Sequence, residues 1–182
     1  RRGSRLIPTM TGGKQERNRR AGTENVPGIV GLGTAARLAL QRTETEADRI
    51  TALRNILEAG ILHQVSGTVV NGDPTRRISN TTNISFDRVE AESLLIALDL
   101  EGIAVSTGSA CSSGTLQPSH VLRAMGHSSH RAQNSIRFSL GTRNTAEEID
   151  RVIDVLPHLV EKLRNTVRAS SVQTQQSSLD GG

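Results

Sequence analysis

Apolar residues recur every three or four positions in the second quarter of the chain, which is the spacing of an α-helix with one buried face. The spacing covers residues 27–41 and 45–58, and these segments predict either two helices or one long helix. Pro27 fits a first helical turn, where its missing N–H group costs no hydrogen bond, and Gly60 is typical of a helix end.

The middle of the chain has the patterns of β-strands. Val65–Val70 and Ile78–Phe86 are rich in strand-forming residues and flank a turn at 71–74, and 103–105 predicts a further short strand. Asn134–Leu140 alternates strictly between polar and apolar side chains. The alternation predicts a strand with one face against a core, because successive side chains of a strand point to opposite sides.

Capping boxes predict the starts of two further helices, because their polar side chains satisfy the first free N–H groups of a helix. Asp87–Glu90 precedes leucines at helical spacing, and this segment ends at Gly102. Thr145–Glu148 precedes an apolar stripe that continues to Leu163. Pro157 lies within the second of these helices and predicts a kink.

The patterns divide the chain into three parts. Residues 60–165 predict an α+β sandwich of strands and helices, and residues 1–59 predict a partial element whose packing partners lie elsewhere. Residues 166–182 consist mostly of Ser, Gln, Thr and Gly, which predicts a disordered tail. The first residue is not Met, so we expect the chain to be part of a longer protein.

Composition and charge narrow the function classes. The 182 residues include one cysteine, so an internal disulfide and a zinc site built from paired cysteines are excluded. No run of apolar residues approaches the length of about 18 residues that a membrane-spanning helix needs. Seven of the 22 Lys and Arg residues lie within residues 1–20, and the rest of the chain is slightly acidic. Because the basic charge does not cover a face, nucleic-acid binding is not expected, and the cysteine content predicts a cytoplasmic protein.

The single cysteine lies in an unusual segment. Cys111 is within residues 106–114, where every other residue is Ser, Gly, Thr or Ala, and a short helix is predicted after it at 118–125. Such a loop has no large apolar side chain to anchor it, and its glycines allow conformations that other residues resist. One interpretation is a tolerated cysteine in a flexible loop. The other is a nucleophilic thiolate on a loop that moves, acting without a second cysteine.

Two further side chains are candidates for binding anions. Arg137 is on the polar face of the predicted strand 134–140, either solvated or positioned to bind a carboxylate through both arms of its guanidinium group. Thr23 precedes a predicted helix start. Its hydroxyl and the following N–H groups either cap the helix or hold an anion such as phosphate.

Several motifs, in order along the chain, resemble the cysteine desulfurases. The first motifs are similar to the segment that follows the cofactor lysine in that family: Gly12–Arg17, Arg20–Val26 and Gly31–Gly33. The later motifs are similar to its small domain and active-site loop: Asn83–Phe86, Glu92–Leu95, Gly102–Cys111, Pro118–Gly126 and Ser135–Gly141. The similarity covers about residues 1–165. The long loop of small residues resembles the group that supplies sulfur for iron–sulfur assembly.

The resemblance implies a homodimeric, fold-type I pyridoxal 5'-phosphate enzyme of the class V aminotransferase kind, with an α/β fold. Residues 1–59 would end its large domain, and residues 60–165 would form its small C-terminal domain. The implied reaction converts L-cysteine to L-alanine and passes sulfur to an iron–sulfur scaffold or another acceptor protein. Cys111 would form the persulfide, Arg137 would bind the substrate carboxylate, and Thr23 would contact the cofactor phosphate of the other subunit. No metal site is implied beyond a transient iron–sulfur contact through Cys111.

The chain departs from the family pattern in ways that bear on activity. The lysine that holds the cofactor lies before the family position at which this chain begins, and neither Lys14 nor Lys162 matches it. We therefore expect the chain to be inactive without an N-terminal half. Two alternatives stay open. The first is another class V enzyme, such as a selenocysteine lyase or an aminotransferase, and the second is a non-catalytic fragment that binds sulfur-transfer partners.

Overall fold

The structure is a computed structural model that describes residues 7–108 and 117–179, with side chains described as far as Thr166 apart from that of Glu44. The chain divides into two compact units, Arg1–Glu44 and Thr45–Gly182. The domain boundary predicted at residue 59 stays a prediction.

The described part of the first unit holds a short helical turn, α1 (Gln15–Asn18), and the first half of helix α2 (Val26–Gln64). Glu16 and Arg17 have φ angles of 50° and 58°, so α1 is a left-handed turn rather than regular helix. Of the two arrangements left open by the sequence, the structure has one long helix. Residues 41–46 contain no Gly or Pro to end it.

The second unit is built on a three-stranded antiparallel sheet in the order β1-β2-β3, with helices before, between and after the strands. A loop joins β1 to β2, whereas, among the described residues, three helices lie along the chain between β2 and β3. The elements after α2 are β1 (Thr68–Val70), β2 (Thr81–Phe86), α3 (Ala91–Leu100), α4 (His120–Ala124), α5 (Ser129–Gln133), β3 (Ser135–Ser139) and α6 (Ala146–Leu179).

The core of the second unit is formed by side chains of the sheet, the second half of α2, α3 and α6. Each large side chain removed from water contributes roughly 1.5–3 kcal/mol, so this cluster is the main source of stability. The stripe predicted for α6 and the apolar face predicted for β3 are both in it. The least exposed members are Leu57, Ile61, Ile84, Phe86, Val89, Leu94, Leu98, Ile136, Leu156 and Val160.

Several predicted elements differ in the structure. Helix α2 continues past Gly60, the predicted helix end, to Gln64. Helix α3 begins at Ala91 rather than within the predicted capping box at 87–90. The N–H group of Asp87 donates to the Gly67 carbonyl, and Arg88 has a φ of 58°, so this segment forms a turn beside the sheet instead of a helix start. The strand predicted at 103–105 is not formed. Pairing at this point is limited to a single bridge between Ser106 and Arg137.

Helix α6 starts as predicted and ends later than predicted. The Thr145 hydroxyl accepts from the Glu148 N–H group, and the Glu148 carboxylate accepts from the Thr145 N–H group, which confirms the capping box. The helix then continues through 166–179, where the composition predicts a disordered tail. That stretch holds no Gly or Pro, and its Gln, Ala and Arg residues favour a helix. Pro157 lies inside the helix, and the kink there stays a prediction.

An ion pair with little exposure joins α2 to the segment before β2. The Arg77 guanidinium donates to both carboxylate oxygens of Glu58 at 2.6 and 2.9 Å, and the Thr82 hydroxyl donates to the same carboxylate at 2.5 Å. The hydrogen bonds from Arg77 lower the pKa of Glu58, and the Thr82 hydroxyl adds to this effect. The Glu58 carboxylate is therefore negatively charged, and both of its oxygens accept hydrogen bonds from Arg77 or Thr82.

Replacing Glu58 by glutamine is expected to destabilise the fold by about 3 kcal/mol, since it leaves a largely buried arginine without its counter-ion. Because the pKa of Glu58 is lowered in the fold, its contribution is present above the ordinary glutamate pKa of about 4.3 and is lost as the pH falls through the folded value. Urea unfolding of both proteins at a series of pH values measures this difference.

The matched control for this experiment is Glu46→Gln, in the same helix. Glu46 is also paired with an arginine, Arg49, but the two side chains are 33% and 41% exposed, against 16% for both Glu58 and Arg77. Exposed pairs contribute about 0–1 kcal/mol, so the control is expected to unfold close to the wild type. Equal losses in the two variants would show that burial does not decide the strength of the pair at Glu58.

Candidate active site

The two ends of the cysteine loop lie side by side. Cys111 itself is outside the described residues, but the segments before and after it are described. Gly108 has a φ of 70°, and a Cβ placed on it would be 3.7 Å from Oγ of Ser119. The Gly108 N–H group donates to Oγ of Ser106 at 3.2 Å. The chain therefore leaves the sheet at Ser106 and returns beside the same point at Ser119.

Arg137 is joined to the start of this loop through its backbone. Its N–H group donates to the Ser106 carbonyl at 2.6 Å, and its carbonyl accepts from the Ser106 N–H group at 3.1 Å. On its other side Arg137 pairs with Asn83 of β2. The Arg137 side chain is exposed. The structure thus brings the predicted carboxylate-binding residue next to the base of the predicted nucleophile's loop.

A polar cluster, formed by Asn71, Asn83, Arg131 and Ser135, lies across the sheet beside Arg137. Nε of Arg131 donates to Oδ1 of Asn71 at 2.6 Å, and Nδ2 of Asn71 donates to Oδ1 of Asn83 at 2.6 Å and to Oγ of Ser135 at 2.9 Å. Sequence analysis did not find this cluster. Polar residues at alternate positions of β2 and β3 signal Asn83 and Ser135, but Asn71 and Arg131 lie outside the strands.

Thr23 lies in the first unit, three residues before helix α2, and its side chain is exposed. The cap of the helix is Asn25 instead, since Oδ1 of Asn25 accepts from the Gly28 N–H group at 3.1 Å. The Val26 N–H group donates to the Glu24 carbonyl at 2.9 Å. The N–H groups of Val26 and Gly28 are therefore already used at the helix start. The prediction that N–H groups after Thr23 hold an anion stays a prediction.

The groups near Thr23 that fit a phosphate are its own hydroxyl and the guanidinium of Arg20. One nitrogen of Arg20 donates to the Thr23 carbonyl at 3.5 Å, which brings the cation close to this turn. A hydroxyl and an arginine are a donor set that suits the phosphate of pyridoxal 5'-phosphate. The role of Thr23 at the cofactor stays a prediction.

Residues 7–108 and 117–179 also bear on two other kinds of function, metal binding and membrane insertion. Within these ranges, no three His, Cys, Asp or Glu residues are grouped so as to hold a metal ion. None of the helices in the same ranges combines the length and the apolar character that a membrane crossing requires.

Comparison with protein families gives one match over most of the chain. The sequence model of the aminotransferase class-V family matches residues 6–152. The chain belongs to the class-V aminotransferase family. Among curated members, it is 53% identical to the cysteine desulfurase NifS of Azotobacter vinelandii, over 91% of this chain and 41% of the relative. It is 51% identical to the cysteine desulfurase of Gluconacetobacter diazotrophicus, over 90% of this chain and 41% of the relative.

Solved structures of this family have the same fold. A NifS-like protein from Rickettsia africae superposes with a TM-score of 0.74 at 32% identity, over 87% of this chain and 41% of that protein. The predicted fold class and the resemblance to cysteine desulfurases are therefore confirmed. The chain spans about two fifths of the length of the curated relatives it matches, 41% for both of those named above.

Proposed function

We propose that this chain is the C-terminal part of a cysteine desulfurase, which converts L-cysteine to L-alanine and transfers the sulfur to an acceptor protein. The observation that carries the proposal is the backbone bridge between Ser106 and Arg137. This bridge supports the proposal because it joins Arg137 to the base of the loop that holds the single cysteine of the sequence. About half of the aligned residues are identical to those of two named cysteine desulfurases, which supports cysteine desulfurase activity.

Arg137 and Cys111 each have one task in this proposal. The Arg137 guanidinium binds the carboxylate of the substrate and so fixes the direction in which its sulfur points. Pyridoxal 5'-phosphate, when bound, supplies an electron sink that weakens bonds near the α-carbon of an amino acid. The Cys111 thiolate forms a bond to the substrate sulfur while the bond from that sulfur to carbon breaks. The electron pair stays with the carbon, which takes up a proton to give alanine.

The exposed face of α2 supports the view that further protein packs on this chain. In the described part of the first unit, large apolar side chains of this helix lie on the surface: Val26, Ile29, Val30, Leu32, Leu38 and Leu40. A surface of this kind is typical of an interface. We assign it to the part of the enzyme that this chain does not include, because the chain covers 41% of its relatives. Homodimer formation and a cytoplasmic location stay predictions.

The test is product analysis of the full-length enzyme with pyridoxal 5'-phosphate and L-cysteine. Formation of alanine, together with one added sulfur atom on the peptide that contains Cys111, is the expected result. Transfer of an amino group to a keto acid without sulfur release would instead identify an aminotransferase. Release of selenium from L-selenocysteine without release of sulfur from L-cysteine would instead identify a selenocysteine lyase.

A further inference from the structure

Asn83 and Arg137 share one face of the sheet. The register pairs them directly across β2 and β3, and in an antiparallel pair directly opposed residues have Cβ atoms about 4.5–5.5 Å apart on the same side. Asn83 is half-buried and Arg137 is exposed, so the pair lies at the edge of the solvent-accessible surface. The two side chains therefore start from neighbouring positions on the same face of the sheet.

The hydrogen bonds of the polar cluster fix which way the Asn83 amide points. Arg131 has donors only, so Oδ1 of Asn71 must be the atom that faces it, at 2.6 Å. Nδ2 of Asn71 must then face Oδ1 of Asn83, also at 2.6 Å. The donor-only guanidinium of Arg131 therefore fixes the orientation of the Asn71 amide, and the Asn71 amide fixes that of the Asn83 amide. It leaves Nδ2 of Asn83, with its two N–H groups, without a partner among the described residues.

We propose that Asn83 is a second carboxylate-binding residue of the substrate site, with one N–H group of its Nδ2 donating to the carboxylate that Arg137 binds. This inference rests on the proposed function. Asn71 and Arg131 act through Asn83 and are positioning residues. An uncharged donor beside a guanidinium fits an α-amino acid carboxylate, because it adds a directed hydrogen bond without adding a second positive charge.

The sharpest variant is Asn83→Asp, which keeps an oxygen for Asn71 to donate to and removes both N–H groups. It also places a negative charge beside the substrate carboxylate. In the full-length enzyme the KM for L-cysteine is expected to rise about 100-fold or more, and Asn83→Ala is expected to raise it about tenfold, since a hydrogen bond to a charged group contributes about one to two powers of ten in binding. The expected change in kcat is small for both.

The matched control is Thr81→Ala. Thr81 lies two residues from Asn83 on the same face of β2 and pairs with Ser139 rather than with Arg137. The KM of the Thr81→Ala variant for L-cysteine is expected to equal that of the wild-type enzyme. A structural role for Asn83 alone would lower kcat and thermal stability and leave the KM unchanged, and this result would overturn the inference.

A binding measurement tests the role of Asn83 without measuring enzyme activity. In the 182-residue chain, titration with L-alanine is expected to shift the side-chain amide NMR signal of Asn83, while titration with L-alaninamide, which has no carboxylate, is not. Asn80 provides an internal reference, since its Nδ2 already donates to the Leu140 carbonyl at 3.1 Å. Equal shifts at Asn83 with both ligands, or equal shifts at Asn83 and Asn80, would contradict the inference.

The Arg137→Ala variant separates this inference from the proposed function. A raised KM in Arg137→Ala with an unchanged KM in both Asn83 variants would overturn the role of Asn83 and retain that of Arg137. An unchanged KM in Arg137→Ala would overturn the assignment of the site itself. A raised KM in all three variants supports both.

Discussion

Replacing Cys111 by serine is expected to abolish persulfide formation in the full-length enzyme, with the rate of sulfur release falling at least about 1,000-fold. The reason is chemical: a serine hydroxyl is nearly the same size as the thiol, but it is not ionised near neutral pH and is a weak nucleophile toward sulfur. Cofactor absorbance and the change that L-cysteine causes in it are expected to persist, because the variant removes only the group that accepts sulfur.

The measurement for Cys111→Ser is mass spectrometry of the loop peptide after incubation with L-cysteine, combined with quantification of alanine. Ser113→Ala is the control, since it changes another small side chain in the same loop and leaves the thiol in place. Alanine release and sulfur transfer at the wild-type rate in Cys111→Ser would mean that the nucleophile is another residue.

Replacing Arg137 by alanine is expected to lower kcat/KM for L-cysteine by about 30- to several-thousand-fold, which corresponds to about 2–5 kcal/mol for the loss of a charge-assisted pair. Most of the loss is expected in KM, since the guanidinium binds the substrate and takes no part in breaking the bond to sulfur. Arg137→Lys keeps the charge and loses the forked geometry, so it is expected to recover only part of the affinity.

The control for Arg137 is Arg143→Ala, which removes an exposed arginine from the loop that follows β3. Steady-state kinetics with L-cysteine are expected to be unchanged in this variant. Cofactor absorbance and thermal stability are measured for every variant, so that loss of binding is distinguished from loss of fold. A wild-type kcat/KM in Arg137→Ala would show that this arginine is a solvated residue of the strand.

Features that depend on neighbouring residues in the chain were predictable from the sequence. The capping box at Thr145–Glu148 and the buried face of β3 follow from local hydrogen bonding and from a period of two, and the structure has both. The start of α3 was not predictable in this way. The Asp87 N–H group is used by Gly67, which is distant in sequence, and this contact takes precedence over the local capping pattern.

The candidate site was predictable only as separate residues. Arg137 and the cysteine loop were each found from their side chains, but their pairing joins positions that are 31 residues apart, Ser106 and Arg137. The Asn71 and Arg131 side chains meet across 60 residues. No local pattern encodes such contacts, because they depend on how the strands and α5 pack. The role of Cys111 rests on the sequence and stays a prediction.

The adjacent ends of the cysteine loop limit how far sulfur can be carried. Cys111 is the third residue after Gly108, and three residues of fully extended chain span about 10 Å. Covalent geometry therefore keeps the Cα atom of Cys111 within about 10 Å of the Cα atom of Gly108. An acceptor protein must bring its own thiol to that radius, so the selection of acceptors depends on which protein surfaces can approach this edge closely.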